Sequence, residues 1–192
     1  MSADRILQQT SVTPAAPGGY SATAKSLHWL VVVLVLAQFV IAWLMPGIKR
    51  DMPANTLVNL HFSFGVLILV VMAIRLVHRL LHPVPLFMPQ SPAWERCAAY
   101  ATHVAFYWIL LIGPELGWAS ASAHGLPVSV FGIVTLPAIA APKARWALTA
   151  GDIHTYMMWA LLCLIALHAA AALFHHFVRH DDVLRRMLPG GG

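Results

Sequence analysis

The sequence has 192 residues, of which 59% are hydrophobic and only 10% are charged. A soluble globular domain carries roughly 25% charged residues, so this composition argues against a soluble protein and predicts a membrane protein. The formal net charge is +5, and the eleven histidines outnumber the seven acidic residues. That ratio points to metal ligation or to proton chemistry, and no feature predicts a nucleic-acid partner.

The chain is predicted to begin with a flexible tail at residues 1–19, which lack the apolar core of a signal peptide. The first membrane segment is therefore expected to act as its own targeting signal. Windows free of charged residues follow at 26–48, 52–74, 97–114 and 153–178. Each is near the roughly twenty residues that a helix needs to cross a hydrocarbon core of about 30 Å. They predict transmembrane helices at about 22–45, 56–80, 93–118 and 150–178.

A fifth window free of charges, residues 116–142, is interrupted repeatedly by glycine and proline. A lipid-exposed helix with such breaks would leave backbone groups without hydrogen bonds. The window is therefore interpreted as part of an interfacial loop at about 119–149, with a fifth span as the alternative. The fold class is an all-α membrane protein, a bundle of four transmembrane helices. Residues 20–182 form its membrane domain, and residues 183–192 form a C-terminal tail.

Lysine and arginine are distributed unevenly between the two predicted membrane faces. With four spans both termini share one face, which holds eight cations, and the other face holds four. The positive-inside rule then places both termini in the cytoplasm. The four cations of the opposite face are Lys49, Arg50, Lys143 and Arg145.

Two histidines of the last helix point to the same side. His154 and His168 are fourteen residues apart, so their directions differ by about 40° and their heights by about 21 Å. Counting along the other helices gives each a partner at equal depth. His61 matches His154 near the outer face, and His28 matches His168 near the inner face.

Paired intramembrane histidines from different helices are typical of b-type haem, in which one neutral imidazole binds each side of the iron. The alternative is a set of hydrogen-bonded core histidines, but ionisable groups are costly inside a membrane and usually functional. Zinc would require a closed tetrahedral cluster or an open water site, and two isolated pairs supply neither. The sequence therefore predicts a bundle that encloses two haems, with His28, His61, His154 and His168 as iron ligands.

Other residues on the same faces are candidates for secondary roles. Arg75 lies fourteen residues after His61 and is predicted to pair with a propionate of the inner haem; a positive-inside anchor is the alternative. Gly65 lies one turn after His61 and would leave room for a macrocycle, or would serve helix packing. His175 is the nearest rival of His168 and is expected at the membrane–water edge, where it would bind a propionate, a quinone carbonyl or water. His103 has no partner at its depth.

Several segments resemble the prokaryotic cytochrome b561 family: "SLHWLVVVLVLAQFVIAW", "LHFSFGVLILVVMAIRLVHRLLHP", "HGLPVSVFGIVTLP" and "LHAAAALFHHFVRHDDVLRRMLP". The resemblance covers about residues 20–189. It implies a four-helix protein of the bacterial inner membrane with two b haems, and its ligand positions match His28, His61, His154 and His168. It also implies ubiquinone as redox partner. For stand-alone members it implies oxidation of superoxide at the periplasmic face.

Three functions are compatible with these features. The first is a superoxide:ubiquinone oxidoreductase, in which Lys49, Arg50, Lys143 and Arg145 steer the superoxide anion toward the outer haem. The alternative for these cations is that they are solvated loop charges. The second function is the membrane cytochrome b subunit of a larger dehydrogenase or hydrogenase. The third is a non-redox transporter or scaffold that uses its histidines for protons.

Overall fold

The structure is a computed structural model that describes residues 20–53, 55–82 and 92–188. The predicted tail at 1–19 and the end of the predicted C-terminal tail, 189–192, lie outside the described residues. Helix α1 spans Ala22–Leu44, α2 Thr56–Leu81, α3 Ala93–Ala123 and α4 Arg145–Phe174. Each of the four helices, α4 with its extension to Arg179, is long and apolar enough to cross a membrane. The predicted four-helix membrane fold is confirmed.

Polar side chains fix where the first two helices begin. The Ser21 hydroxyl accepts a hydrogen bond of 3.1 Å from the amide of Ala24. The Asn55 side chain accepts bonds from the amides of Leu57 and Val58. Such caps satisfy amides that have no partner within the first turn of a helix, so both helices begin where the sequence predicts.

The helices alternate in direction, which gives the bundle two distinct ends. The terminal end is where α1 and α3 begin and where α2 and α4 finish. The opposite end holds the connection between α3 and α4 and is called the hairpin end. Between the two ends, a core of aliphatic side chains joins all four helices. Its buried members are Val31, Leu34, Val35, Ile68, Val71, Met72, Leu110 and Leu161.

The connection between α3 and α4 is shorter than predicted and contains strands. Helix α3 continues to Ala123 instead of stopping at residue 118, and α4 begins at Arg145 instead of residue 150. Alanines such as Ala119 and Ala147 are buried between these extensions. Such small side chains let two helix backbones approach closely. The predicted loop at 119–149 is therefore reduced to residues 124–144.

A β-hairpin occupies the middle of this connection and excludes a fifth helix there. Strand β1, Val128–Val130, pairs antiparallel with β2, Val134–Leu136. The buried hydroxyl of Ser63 on α2 accepts a 2.8 Å bond from the amide of Phe131 and lies 3.1 Å from the carbonyl oxygen of Ser129. The hairpin thus lies against α2 only two residues beyond His61.

The chain after α4 also packs on the bundle. Residues His175–Arg179 form a π-helical turn and Arg185–Met187 a 3₁₀ turn. The indole nitrogen of Trp29 on α1 donates a 2.9 Å bond to the carbonyl of Met187, and the guanidinium of Arg186 lies over the Tyr20 ring. The predicted boundary at residue 182 is therefore too early, because residues 183–188 join the end of α4 to the start of α1.

Candidate functional site: two histidine pairs

The hairpin-end pair consists of His61 on α2 and His154 on α4. Their ring centroids lie 6.2 Å apart and their planes are inclined by 86°. Both side chains are partly buried within the bundle. This is the predicted outer pair, and the structure brings its two members together.

The terminal-end pair consists of His28 on α1 and His168 on α4. The centroids are 6.5 Å apart and the planes are inclined by 65°. This is the predicted inner pair. Helix α4 therefore contributes one histidine to each end of the bundle, and α1 and α2 contribute one each.

The spacing within both pairs matches two imidazoles that bind one metal ion from opposite sides. A metal–imidazole bond of about 2.0 Å, extended by about 1 Å from nitrogen to ring centre, places two opposed centroids about 6 Å apart. Two rings in edge-to-face contact have a similar separation, and no hydrogen bond joins either pair among the described residues. Both pairs are therefore suited to hold an ion between them.

The arrangement of the helices leaves space along this line of histidines. Helix α1 packs along α2, and α3 packs along α4. Within the described ranges, the α4 backbone makes no comparably extended approach to α1 or α2. Both histidine pairs bridge this separation. A flat macrocycle requires such a gap between helices that supply its axial ligands.

The hydrogen bond of His154 defines which of its nitrogens faces the gap. Its Nδ1 lies 2.8 Å from the carbonyl oxygen of Gly113 on α3. A carbonyl can only accept, so Nδ1 carries the proton and Nε2 holds the lone pair. A metal-binding histidine usually donates its other ring N–H to a carbonyl, a carboxylate or water in this way. In contrast, the buried Nδ1 of His61 has no hydrogen-bond partner among the described residues.

A cavity of about 310 Å³ opens beside the terminal-end pair. Its lining includes Arg75, Arg79 and His103, together with Tyr20 before α1 and two tyrosines of α3, and it contains no carboxylate among the described residues. The buried Nη1 of Arg75 has no partner within the described ranges. The cavity therefore offers donors to a carboxylate that its described lining residues do not supply.

Comparison with known proteins now decides the family. The family model for prokaryotic cytochrome b561 matches residues 19–190 of the chain. The chain belongs to this family.

Similar proteins cover nearly the whole chain. Cytochrome b561 homolog 2 of Escherichia coli K12 is 33% identical over 173 residues, which are 90% of this chain and 92% of that protein. Cytochrome b561 homolog 1 of the same strain is 31% identical, over 88% of this chain and 97% of its own length. The probable superoxide oxidase CybB of Yersinia pestis is also 31% identical, over 88% of this chain and 96% of its own length.

The predicted family is thus confirmed, and with it a multi-pass membrane cytochrome of a family that binds b-type haem. The residues of this chain fit such a group in the ring spacing of both pairs, in the separation of α4 from α1 and α2, and in the donors near Arg75 at the terminal end. A Cβ added at Gly65 would meet only the Gln38 amide, at 3.7 Å. This is an ordinary van der Waals contact, so Gly65 faces α1, as the alternative role in helix packing predicts.

The structure places several residues beside the histidine pairs that sequence reasoning missed. His103, which was predicted to have no partner, lies with its ring centroid 5.6 Å from that of His168. Phe106 lies 5.4 Å from the same ring, on the same side of the bundle. The amide of Gln38 donates a 2.9 Å bond to the carbonyl of His61. Phe106 follows His103 by three residues, and residues at this spacing share one helix face. This spacing was the signal that could have predicted that the two side chains lie together.

His175 has a partner that the sequence analysis did not consider. Its Nδ1 lies 2.5 Å from a carboxylate oxygen of Asp181, and the Asp181 amide donates to the His175 carbonyl. The π-helical turn and the left-handed conformation of His180 turn the chain back and bring Asp181 within reach. This contact occupies Nδ1 of His175, and the interaction of the ring with a propionate or a quinone stays a prediction.

The four cations predicted to steer superoxide all lie at the hairpin end. Lys49 and Arg50 are exposed in the connection between α1 and α2, and Lys143 and Arg145 are exposed at the start of α4. Asp51 is the nearest acidic residue in sequence to the first two, and its amide donates to the carbonyl of His124. Among the described residues, the exposed acidic ones toward this end are Asp51, Glu115 and Asp152, so the four cations leave an excess of one positive charge.

Proposed function

We propose that this protein is a transmembrane di-haem cytochrome that transfers electrons from superoxide to ubiquinone. The observation that carries the proposal is that α4 contributes one histidine to each of two histidine pairs. His154 and His168 each face a histidine of another helix across 6.2 and 6.5 Å. His61 and His154 would bind one iron, and His28 and His168 the other.

The bound haems would supply one-electron redox chemistry by cycling between ferric and ferrous iron. Because a histidine lies on each side of both sites, the residues leave no iron position for dioxygen. The four imidazoles therefore suit electron relay and do not suit gas binding. Their placement at two depths of the bundle suits transfer between the two membrane faces.

Arg75 and Gly65 have proposed roles beside these ligands. The unpartnered guanidinium nitrogen of Arg75 is buried next to the cavity. A guanidinium binds a carboxylate in a two-point geometry, so we assign Arg75 to a propionate of the terminal-end haem. Gly65 keeps the space near the hairpin-end pair free of a side chain.

Superoxide is the proposed electron donor, because a relative of similar length is named a probable superoxide oxidase. Each superoxide anion would lose one electron and leave as dioxygen. Lys49, Arg50, Lys143 and Arg145 would attract this anion to the hairpin end, since opposite charge raises the rate of encounter. Ubiquinone would take two electrons and two protons to become ubiquinol.

The charge distribution supports a definite orientation in the bacterial inner membrane. The larger group of lysines and arginines belongs to the terminal end, and such residues accumulate on the cytoplasmic side. The terminal end would then face the cytoplasm, together with both chain termini. The hairpin end would face the periplasm, where superoxide arrives.

Rapid mixing of the purified, oxidised protein with superoxide under anaerobic conditions tests this function. We expect a reduced b-type α band to appear, and to decay when a soluble ubiquinone analogue is added. Superoxide dismutase should abolish the reduction. A protein without a b-type α band after chemical reduction would contradict the haem assignment, whereas a haem protein that superoxide does not reduce would contradict the donor.

A further inference from the structure

The glycines of α3 form a groove against which His154 is held. Gly113 and Gly117 are one turn apart and face α4. A Cβ added at Gly117 would lie 3.4 Å from both Cε1 and Nδ1 of the His154 ring. That distance is the lower limit of ordinary van der Waals contact, so the ring lies directly against the Gly117 backbone and any side chain there would touch it.

Gly113 contributes to the same contact in two ways. Its carbonyl oxygen accepts the 2.8 Å hydrogen bond from His154 Nδ1. A Cβ at this position would lie 2.9 Å from the terminal methyl of Met158, one turn further along α4. This methyl is the far end of a flexible side chain and can move aside for a Cβ, whereas a larger side chain at Gly113 would separate α4 from α3 and lengthen the bond to His154.

We infer that Gly113 and Gly117 are positioning residues that hold His154 for iron and set the redox potential of the hairpin-end site. The inference rests on the proposed function only for the presence of haem at this pair. Bonding of Nδ1–H to a carbonyl raises the basicity of the imidazole. A more basic ligand favours ferric over ferrous iron, so this bond lowers the potential.

The two ends of the bundle differ in this respect. His154 is fixed by a backbone carbonyl, whereas the ring of His168 lies against the rings of Phe106 and His103. A backbone acceptor cannot be removed by substitution of a side chain. The glycine groove, which brings the ring to that acceptor, is therefore the part that mutation can test.

A potentiometric titration of Gly117→Ala tests the inference, with each component assigned beforehand from the His61→Ala spectrum. We expect both haems to be retained and the hairpin-end component to move to higher potential, with a changed low-spin electron paramagnetic resonance signal. The terminal-end component should stay in place. Gly47→Ala is the control, because a Cβ at Gly47 meets nothing within 4 Å.

A second pair of variants keeps the test decisive if Gly117→Ala does not fold. Gly113→Val should raise the same potential, and Gly113→Val combined with Met158→Ala should return it toward the original value, because the second change makes room for the added side chain. Unchanged potentials in the single variants, or a shift confined to the terminal-end component, would overturn the inference. Since superoxide and quinone are absent, these outcomes are independent of the proposed donor and acceptor.

Discussion

His61 on α2 faces His154 on α4 with 6.2 Å between their ring centroids, although the third helix separates them in sequence. His28 and His168 repeat the relationship at the opposite end of the bundle. The proposed ligand assignment makes a separable prediction for each pair. His61→Ala or His154→Ala should remove one haem, and His28→Ala or His168→Ala the other.

Haem content should fall to about half in each variant, as measured by pyridine haemochrome assay and by the reduced spectrum. Variants of the same pair should lose the same spectral component. The ligand assignment fails if His28→Ala and His154→Ala lose the same component.

Neutralising Lys143 and Arg145 together to glutamine should slow reduction by superoxide and weaken its dependence on salt. Steering acts on charge and is screened within about 10 Å at 0.1 M salt. Reduction by a neutral quinol should be unaffected. The same charge change at the terminal end, Lys25→Gln with Arg185→Gln, serves as the control, and an equal superoxide rate in both double variants at low salt would remove Lys143 and Arg145 from the mechanism.

Arg75→Gln should lower the potential of the terminal-end haem, because a nearby cation favours the ferrous state, which carries one positive charge less. Partial loss of that haem should accompany the shift if the guanidinium binds a propionate. Arg185→Gln, on an exposed residue of the 3₁₀ turn, is the matched control. A potential equal to that of the unmodified protein would support the alternative that Arg75 is a topological anchor.

His175→Ala should retain both haems, since the ring is paired with Asp181. Loss of this pair should instead loosen the segment that reaches Trp29 and Tyr20, which faster proteolysis near residues 180–188 would reveal. Asp181→Asn should give the same result, because both variants remove one partner of the same contact. Retention of one haem in His175→Ala and of two in His168→Ala would show that His175 is the terminal-end ligand.

Ser63→Ala should destabilise the protein by about 1 kcal/mol, because the part-buried amide of Phe131 loses its acceptor. Thermal unfolding in detergent, followed by circular dichroism, measures the loss. Thr102→Ala is the control, since the Thr102 hydroxyl bonds only a carbonyl of its own helix. Equal midpoints for the two variants would show that the hairpin does not depend on Ser63.

The sequence predicted the four helices and the two histidine pairs because their signals are regular. Charge-free windows mark a span, and counting residues along rigid helices measures depth. The ends of α3 and α4 were predicted less well, since glycine was interpreted as a helix breaker. Gly117 instead lies inside α3, where its missing side chain makes room for His154.

Counting residues along a helix does not predict contacts that depend on the direction of a side chain around the helix or on the geometry of a turn. His103 meets His168 because α3 packs directly against α4, and the neighbours of α3 cannot be read from its own residues. The contact between His175 and Asp181 depends on a π-helical turn and on the left-handed conformation of His180. The spacing of residues in the sequence does not predict either feature. The β-hairpin was missed because its strands contain only three residues each.

The position of both His154 and His168 on α4 has a consequence for how the protein is made. Helix α4 is the last of the four to leave the ribosome, and α1 and α2 enter the membrane with one histidine of each pair unmatched. No bis-histidine site exists until α4 inserts beside them. Under the proposed ligand assignment, ligation of haem from both sides at each end of the bundle would follow insertion of the final helix, so one late event would complete both sites.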